Sequence, residues 1–127
     1  MEPSQLAVIA RQAQENAYSP YSGLKVGAAL ITNRGNIYTG ANVENASYGL
    51  SICAERLAVF QAILNGDRGL DTLAVVSSSP GYIYPCGACL QVLAEFAPDI
   101  KVVVANENQE IREYYLNELL PQAFTLR

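Results

Sequence analysis

The sequence predicts an α/β domain of three α-β-α layers around a central mixed sheet of about five strands. Three observations carry this expectation. Strand-like and helical patterns follow one another in the order α-β-β-α-β-α-β-(β)-α. The strand-like runs are short and nearly all apolar. Both cysteine motifs fall at predicted helix starts, where such sheets place their sites beyond strand ends.

Ser4 is positioned to cap a first helix reaching Ala17, with Leu6, Ile9, Ala10, Ala13 and Ala17 recurring on one face. Tyr18-Ser19-Pro20-Tyr21-Ser22-Gly23 breaks it. Val26 to Thr32 reads as a strand rich in small residues, Asn33-Arg34-Gly35-Asn36 as a turn, and Ile37 to Ala41 as the return strand. A polar loop covers Asn42 to Leu50. Ser51 is expected to cap a second helix running to Leu64, closed by Asn65-Gly66. Thr72 to Ser77 is a third strand. After a loop over Ser78 to Tyr84, Pro85 suits the first position of a third helix, which ends at Phe96 before Pro98. Ile100 to Ala105 is a fourth strand. Ile111 to Tyr115 fits a fifth strand or a helix start, and its paired tyrosines favour the strand. Leu116 to Leu120 is a short helical turn before Pro121. No repeat or linker interrupts the chain, so residues 1–127 read as a single domain.

The chain is 127 residues long, 50% apolar and only 16% charged, a balance that hints at self-association. The net charge is −4 and no basic stripe is visible. A polynucleotide partner is therefore not expected, and a small uncharged ligand is. The first residues carry no basic, apolar leader pattern, and no run approaches the ~18 apolar residues of a membrane span. The expected location is cytoplasmic, where cysteines stay reduced.

Reduced cysteines at motif spacing favour metal binding or catalysis. Cys86 and Cys89 form a C-x-x-C at the third helix start, which puts both sulfurs on one side. Cys53 lies just inside the second helix. Helix N-termini favour thiolate. Two helix starts can thus aim three thiolates at one point. A closed structural zinc site takes four protein ligands. This chain has no histidine and three cysteines, so zinc keeps an open position unless a carboxylate fills it. An open position holds a water whose pKa falls toward neutrality. Glu55, in Cys53-Ala54-Glu55, is the candidate proton shuttle for that water; taken alone it could merely complement the helix dipole. Three thiolates around Zn²⁺ leave a charge of −1. Arg56, set against the dipole in the same first turn, is placed to offset it.

Here the sequence resembles the small, homotetrameric cytidine deaminases. The resemblance rests on the zinc-deaminase signature, Cys53-Ala54-Glu55 and Pro85-Cys86-Gly87-Ala88-Cys89. It extends through Tyr18–Gly23, Val26–Ala29, Gly40–Gly49 and Glu118–Phe124. It implies Cys53, Cys86 and Cys89 as zinc ligands and Glu55 as proton shuttle. It further implies Asn42 and Glu44 on the ribose, backbone around Tyr48 and Ala54 on the base, and Phe124 arriving from a neighbouring subunit. The implied reaction is hydrolysis of cytidine and deoxycytidine to uridine and deoxyuridine in a homotetramer with shared sites. Two positions depart from the family pattern. Leu24 stands where members often have Phe, and Leu90 where they usually have Arg. Leu24 leaves a roomier pocket, so a preference for N4-modified cytidines is the alternative. Three other readings remain. A non-catalytic zinc module needs a fourth protein ligand. A Cys86/Cys89 redox pair gives Cys53 no role. A polynucleotide deaminase conflicts with the acidic balance.

Overall fold

The structure, a computed structural model, describes residues 1–126. Its strands are β1 (Val26–Thr32), β2 (Ile37–Ala41), β3 (Leu70–Ser77), β4 (Lys101–Ala105) and β5 (Ile111–Tyr115). Its helices are α1 (Pro3–Gln14), α2 (Ala54–Leu64), α3 (Gly87–Phe96) and the single turn α4 (Leu116–Leu119). The strands form one mixed sheet in the order β2-β1-β3-β4-β5. β3 and β4 run parallel, joined by the α3 crossover, and the other pairs are antiparallel.

Alternation along the central strands builds the layers. Ala28, Leu30, Leu73, Val75, Val102 and Val104 point to one face and are buried with α2 and α3. Ala29, Ala74, Val76, Val103 and Ala105 point to the other and are buried against Leu6, Ala7 and Ala10 of α1. Two glycines let helices approach the sheet. A Cβ on Gly27 would collide with backbone of Ala10 and Gln14 in α1, and one on Gly40 with backbone of Ala54 and Ala58 in α2.

The hairpin turn is clipped to the end of α2. One carboxylate oxygen of buried Asp67 accepts hydrogen bonds from Thr32 Oγ1 (2.8 Å), Asn36 Nδ2 (2.9 Å) and Tyr38 OH (3.2 Å).

Element ends differ from expectation in ways that matter for the site. α1 starts on a Glu2–Gln5 capping box with Pro3 in its first turn, not on Ser4. It stops at Gln14 because Tyr18 is drawn into a bridge with Val43. Ser51 does not cap α2. Val43 and Ile52 exchange backbone hydrogen bonds of 3.0 and 2.9 Å, which keeps the chain extended up to Cys53. Cys53 is itself the N-cap. Pro85 likewise precedes α3, and Cys86 takes the N-cap. β3 begins two residues earlier than predicted, at Leu70. Among the described residues, no helix is long and apolar enough to cross a membrane.

Candidate active site

The sheet register brings the site segments to one edge. Val26 pairs with Ser77, and Gly27 pairs with Ala41. The entrance to β1, the exit of β2 and the exit of β3 therefore lie side by side. Chain leaving β2 runs through Asn42 and Glu44 to the start of α2. Chain leaving β3 runs through Ile83 and Tyr84 to the start of α3.

Both helices begin on an extended cysteine, Cys53 (φ −74°, ψ 151°) and Cys86 (φ −69°, ψ 167°). Each N-cap thiol sits where unpaired N–H groups and the helix dipole favour negative charge. Cys89 joins them from the first turn of α3 and is buried. Cys53 and Cys86 Sγ are 3.8 Å apart, and Cys86 and Cys89 Sγ 3.4 Å. All three sulfurs lie within 4.8 Å of one another. Two sulfurs about 2.3 Å from one tetrahedral ion stand roughly 3.8 Å apart, so the cluster fits zinc. Thiolate is also the donor type a soft site of this kind requires. Among the described residues, no fourth His, Cys, Asp or Glu joins the cluster.

Charge is focused on Cys53. Its thiol is pulled down to about 5 by the hydrogen bond from Cys89, with Arg56 and Cys86 adding to the effect against burial. Arg56 Nη2 donates to Cys53 Sγ at 3.4 Å. The Cys89 thiol is pushed the other way by its bond to Cys53, by burial and by the nearby Glu55. Glu55 lies one residue inside α2 and is 5% exposed. Burial, reinforced by the charge on Cys53, pushes its carboxyl up to about 7. A carboxyl in that range exchanges protons readily at neutral pH.

These groups open into a cavity of about 340 Å³. Leu24, Val26, Ile52 and Ile83 give it apolar walls, and Asn42, Glu44, Glu55, Cys53 and Cys86 supply polar groups. Its size is that of a small-molecule site. The Asn42 amide is locked in place: Nδ2 donates to the Leu24 carbonyl (2.9 Å), and Oδ1 accepts from Val26 N–H (2.8 Å). The Glu44 carboxylate accepts from Tyr21 and Ser22 N–H, both at 3.1 Å, and from the Ser22 hydroxyl. Ser22 above all holds Glu44 below the usual carboxylate range.

Of the residues singled out in the sequence, Leu24, Asn42, Glu44, Cys53, Ala54, Glu55 and Cys86 line this cavity. Cys89 lies behind it and Arg56 touches it only through Cys53. Tyr48 stands outside, 73% exposed, in a shallow hollow with Tyr21, Ser22, Glu44 and Ser51. Phe124 is in a separate hollow beside Ala94 and Pro98, its backbone held by the Gln91 amide at 2.8 and 3.2 Å. Leu90 is buried in the main core. Ser22, Val26, Ser51, Ile52, Ile83 and Tyr84 also line the cavity and were not foreseen. Ser22 and Val26 fall in stretches that carry the family resemblance, and Tyr84 lies two residues before Cys86.

A three-thiol zinc centre with a proton-exchanging carboxyl beside it, set between two helix starts of an α/β sheet, defines a zinc-dependent hydrolase. The chain belongs to the cytidine and deoxycytidylate deaminase family: residues 1–106 match the model described as "Cytidine and deoxycytidylate deaminase zinc-binding region". It is 49% identical over 126 residues to the cytidine deaminase of Halalkalibacterium halodurans, covering 98% of this chain and 96% of that one. Identity to the cytidine deaminase of Sporosarcina psychrophila is 44%, covering 98% and 93%. A crystal structure of cytidine deaminase from Burkholderia pseudomallei superposes with a TM-score of 0.93 at 48% identity, covering 98% of this chain and 100% of that one.

Proposed function

We propose that this chain hydrolyses cytidine and deoxycytidine to uridine and deoxyuridine, with water as co-substrate and ammonia as second product. The observation that carries the reading is Glu55: a buried carboxyl adjusted to about 7, facing the same cavity as Cys53 and Cys86 of the three clustered thiols. Cys53, Cys86 and Cys89 would hold zinc, which supplies Lewis acidity and lowers the pKa of a water toward neutrality. Glu55 takes a proton from the water that adds to C4 and delivers it to ring N3. It then helps protonate the amino group, and the C4–N bond breaks to release ammonia. Arg56 holds positive charge on Cys53 and so tempers the anionic cluster.

Asn42 and Glu44 would bind the ribose hydroxyls. Their acceptor and donor atoms are fixed by Leu24, Val26 and Ser22, so little rotamer freedom remains to be lost on binding. Ala54 borders the base. Backbone around Tyr48 would contact the base, and Phe124 would arrive from a neighbouring subunit of a homotetramer in which subunits complete one another's sites. Support comes from exposed apolar side chains, among them Tyr18, Tyr21, Tyr48, Phe60 and Phe124, which suit subunit contacts. The chain works as one domain over residues 1–127, in the cytoplasm, in pyrimidine salvage. A reducing compartment suits three thiols that must stay unpaired. Leu24 in the cavity wall favours one second reading, turnover of N4-modified cytidines. A closed zinc module lacks its fourth ligand among the described residues.

The test is to incubate zinc-loaded protein with cytidine, and in parallel with N4-acetylcytidine, and to follow uridine in both, with ammonia released from the first and acetamide from the second. Conversion that stops with a chelator and returns with zinc is expected. Zinc-replete protein that forms no uridine refutes the reading.

A further inference from the structure

The wall of the cavity between β3 and α3 is held from the opposite edge of the sheet. Residues 82–85 belong to no helix or strand. Among the described residues, no backbone hydrogen bond ties them to the rest of the fold. Two side chains of the edge strand β5 hold them instead. Arg112 and Tyr114 are two apart and so share a face of the strand. The Arg112 guanidinium carbon lies 4.1 Å from the Tyr82 ring centroid. The Tyr114 and Tyr84 hydroxyls are 3.1 Å apart. Their rings meet edge to face, with centroids 5.6 Å apart and planes at 69°.

Between these two clasped tyrosines is Ile83, and Ile83 and Tyr84 both line the cavity. Cys86 follows two residues later. A loop without backbone anchors is an imprecise wall unless its side chains are fixed. Here a cation–π contact and a phenol–phenol hydrogen bond do the fixing. We infer that Tyr84 contacts the pyrimidine nucleoside as a wall of its site, and that Arg112 and Tyr114 are positioning residues which act on binding through Tyr82 and Tyr84. The inference rests on the reading that this cavity takes a pyrimidine nucleoside. Neither Arg112 nor Tyr114 lines the cavity. Their influence is therefore expected in binding, with the proton transfers at Glu55 untouched.

The experiment measures the Kd of uridine on the zinc-loaded protein by calorimetry, alongside KM and kcat for cytidine. Tyr84→Ala is expected to raise Kd and KM about 3- to 10-fold, the size of one lost aromatic contact, with kcat within about twofold. Tyr84→Phe and Tyr114→Phe keep both rings and delete the hydrogen bond the two hydroxyls share, along with each hydroxyl's own interaction with Arg112. Each is expected to raise Kd about 2- to 10-fold, and the double variant to fall short of the product of the two. Arg112→Ala weakens binding similarly. Arg112→Lys recovers part of it, because an ammonium keeps some attraction to the Tyr82 ring. An unchanged Kd in Tyr84→Ala overturns the inference. So do additive effects of the two phenol deletions, and so does a wild-type protein that binds no uridine. A wild type that binds uridine but leaves cytidine intact refutes the deaminase reading alone, and the Kd series still decides the role of Tyr84.

Discussion

Replacing Glu55 with Gln swaps a buried carboxyl for an amide of nearly the same shape and removes the proton it carries. Two effects of opposite sign follow from the surroundings of that side chain. On activity, no neighbour can substitute. The other carboxylate lining the cavity, Glu44, is occupied by Tyr21 and Ser22. A lost general acid–base typically costs about 10² to 10⁴ in rate, and with no deputy the loss belongs at the upper end, at least about 10³-fold in kcat. On stability, the variant gains. The folded carboxyl is pushed up to about 7, against about 4.3 for an unperturbed glutamate. Between those values the folded chain holds a proton that the unfolded chain has released. Stability therefore falls as pH rises through the window, by roughly 3 to 4 kcal/mol once pH exceeds the folded value. Gln carries no such penalty. Urea melts of chelator-treated protein are expected to give equal stabilities near pH 4 and a more stable variant near pH 8. The zinc content of untreated variant protein should match wild type, since the three thiols remain. A kcat that falls less than about tenfold refutes Glu55 as the proton shuttle. A variant that is the less stable protein near pH 8 refutes the raised carboxyl, and is the outcome expected of a glutamate that only complements the dipole of α2.

Gly40→Ala forces a methyl into the backbone of α2 at Ala54 and Ala58. The expected loss is about 1 to 3 kcal/mol in denaturant melts, together with reduced zinc retention as Cys53 and Glu55 shift; an unchanged melt contradicts the close packing. Asp67→Asn removes the charge that accepts three hydrogen bonds at the hairpin turn. Those bonds, that from Asn36 foremost, hold the Asp67 carboxyl below its ordinary value, so its stabilisation is present above the unfolded value of about 3.9 and fades as pH falls through the folded one. The Tm of the variant should lie below wild type at neutral pH, and the gap should close in acid. A gap that does not change with pH removes the charge from the argument. Arg56→Ala takes a donor from Cys53, whose thiol sits at about 5. In chelator-treated protein the thiolate absorbance should titrate higher, toward the ordinary thiol value of about 8.5. An unmoved titration leaves the lowered value to Cys89 and Cys86.

The strands were legible because β1, β3 and β4 are short apolar runs, the Asn33–Asn36 turn marks β2 as the return strand, and paired tyrosines mark β5. β1, β2 and β5 match residue for residue. The metal cluster was legible for a different reason: three cysteines without histidine leave few ways to bind an ion. Helix starts depart from expectation for separate causes. A Glu2–Gln5 capping box begins α1 ahead of Ser4. Capping statistics favour Ser51 and Pro85, but pairing of Val43 with Ile52 keeps the chain extended to Cys53, and the chain into Cys86 is extended without such pairing. The Asp67 clip and the β5 clasp on Tyr82 and Tyr84 were invisible because their partners lie 29 to 35 and 30 residues apart. Asn42 and Glu44 were singled out through resemblance, and their anchoring to Leu24, Val26 and Ser22 needed coordinates.

The cavity opens on the α2 and α3 face of the sheet, and the chain shows why the α1 face is closed at the same edge. The carboxyl ends of parallel strands are where open α/β sheets receive ligands. Here those ends are β3 at Ser77 and β4 just before Asn106. From α1, the Arg11 guanidinium donates to the Ser77 carbonyl, to the Asn106 carbonyl at 2.9 Å and to the Gln109 side chain at 3.1 Å. Carbonyls that would otherwise face an open crevice are thereby satisfied by one cation. On the opposite face, among the described residues, no such cation caps the strand ends. There the chain leaves β3, passes through the clasped tyrosines and turns into α3 on Cys86. Parallel β3 and β4 with one crossover helix offer two sides at one strand end. Arg11 fills one, and three thiols with Glu55 beside them occupy the other. The face that carries chemistry is thus set by which helix brings a cation and which helices bring cysteines at their first residues.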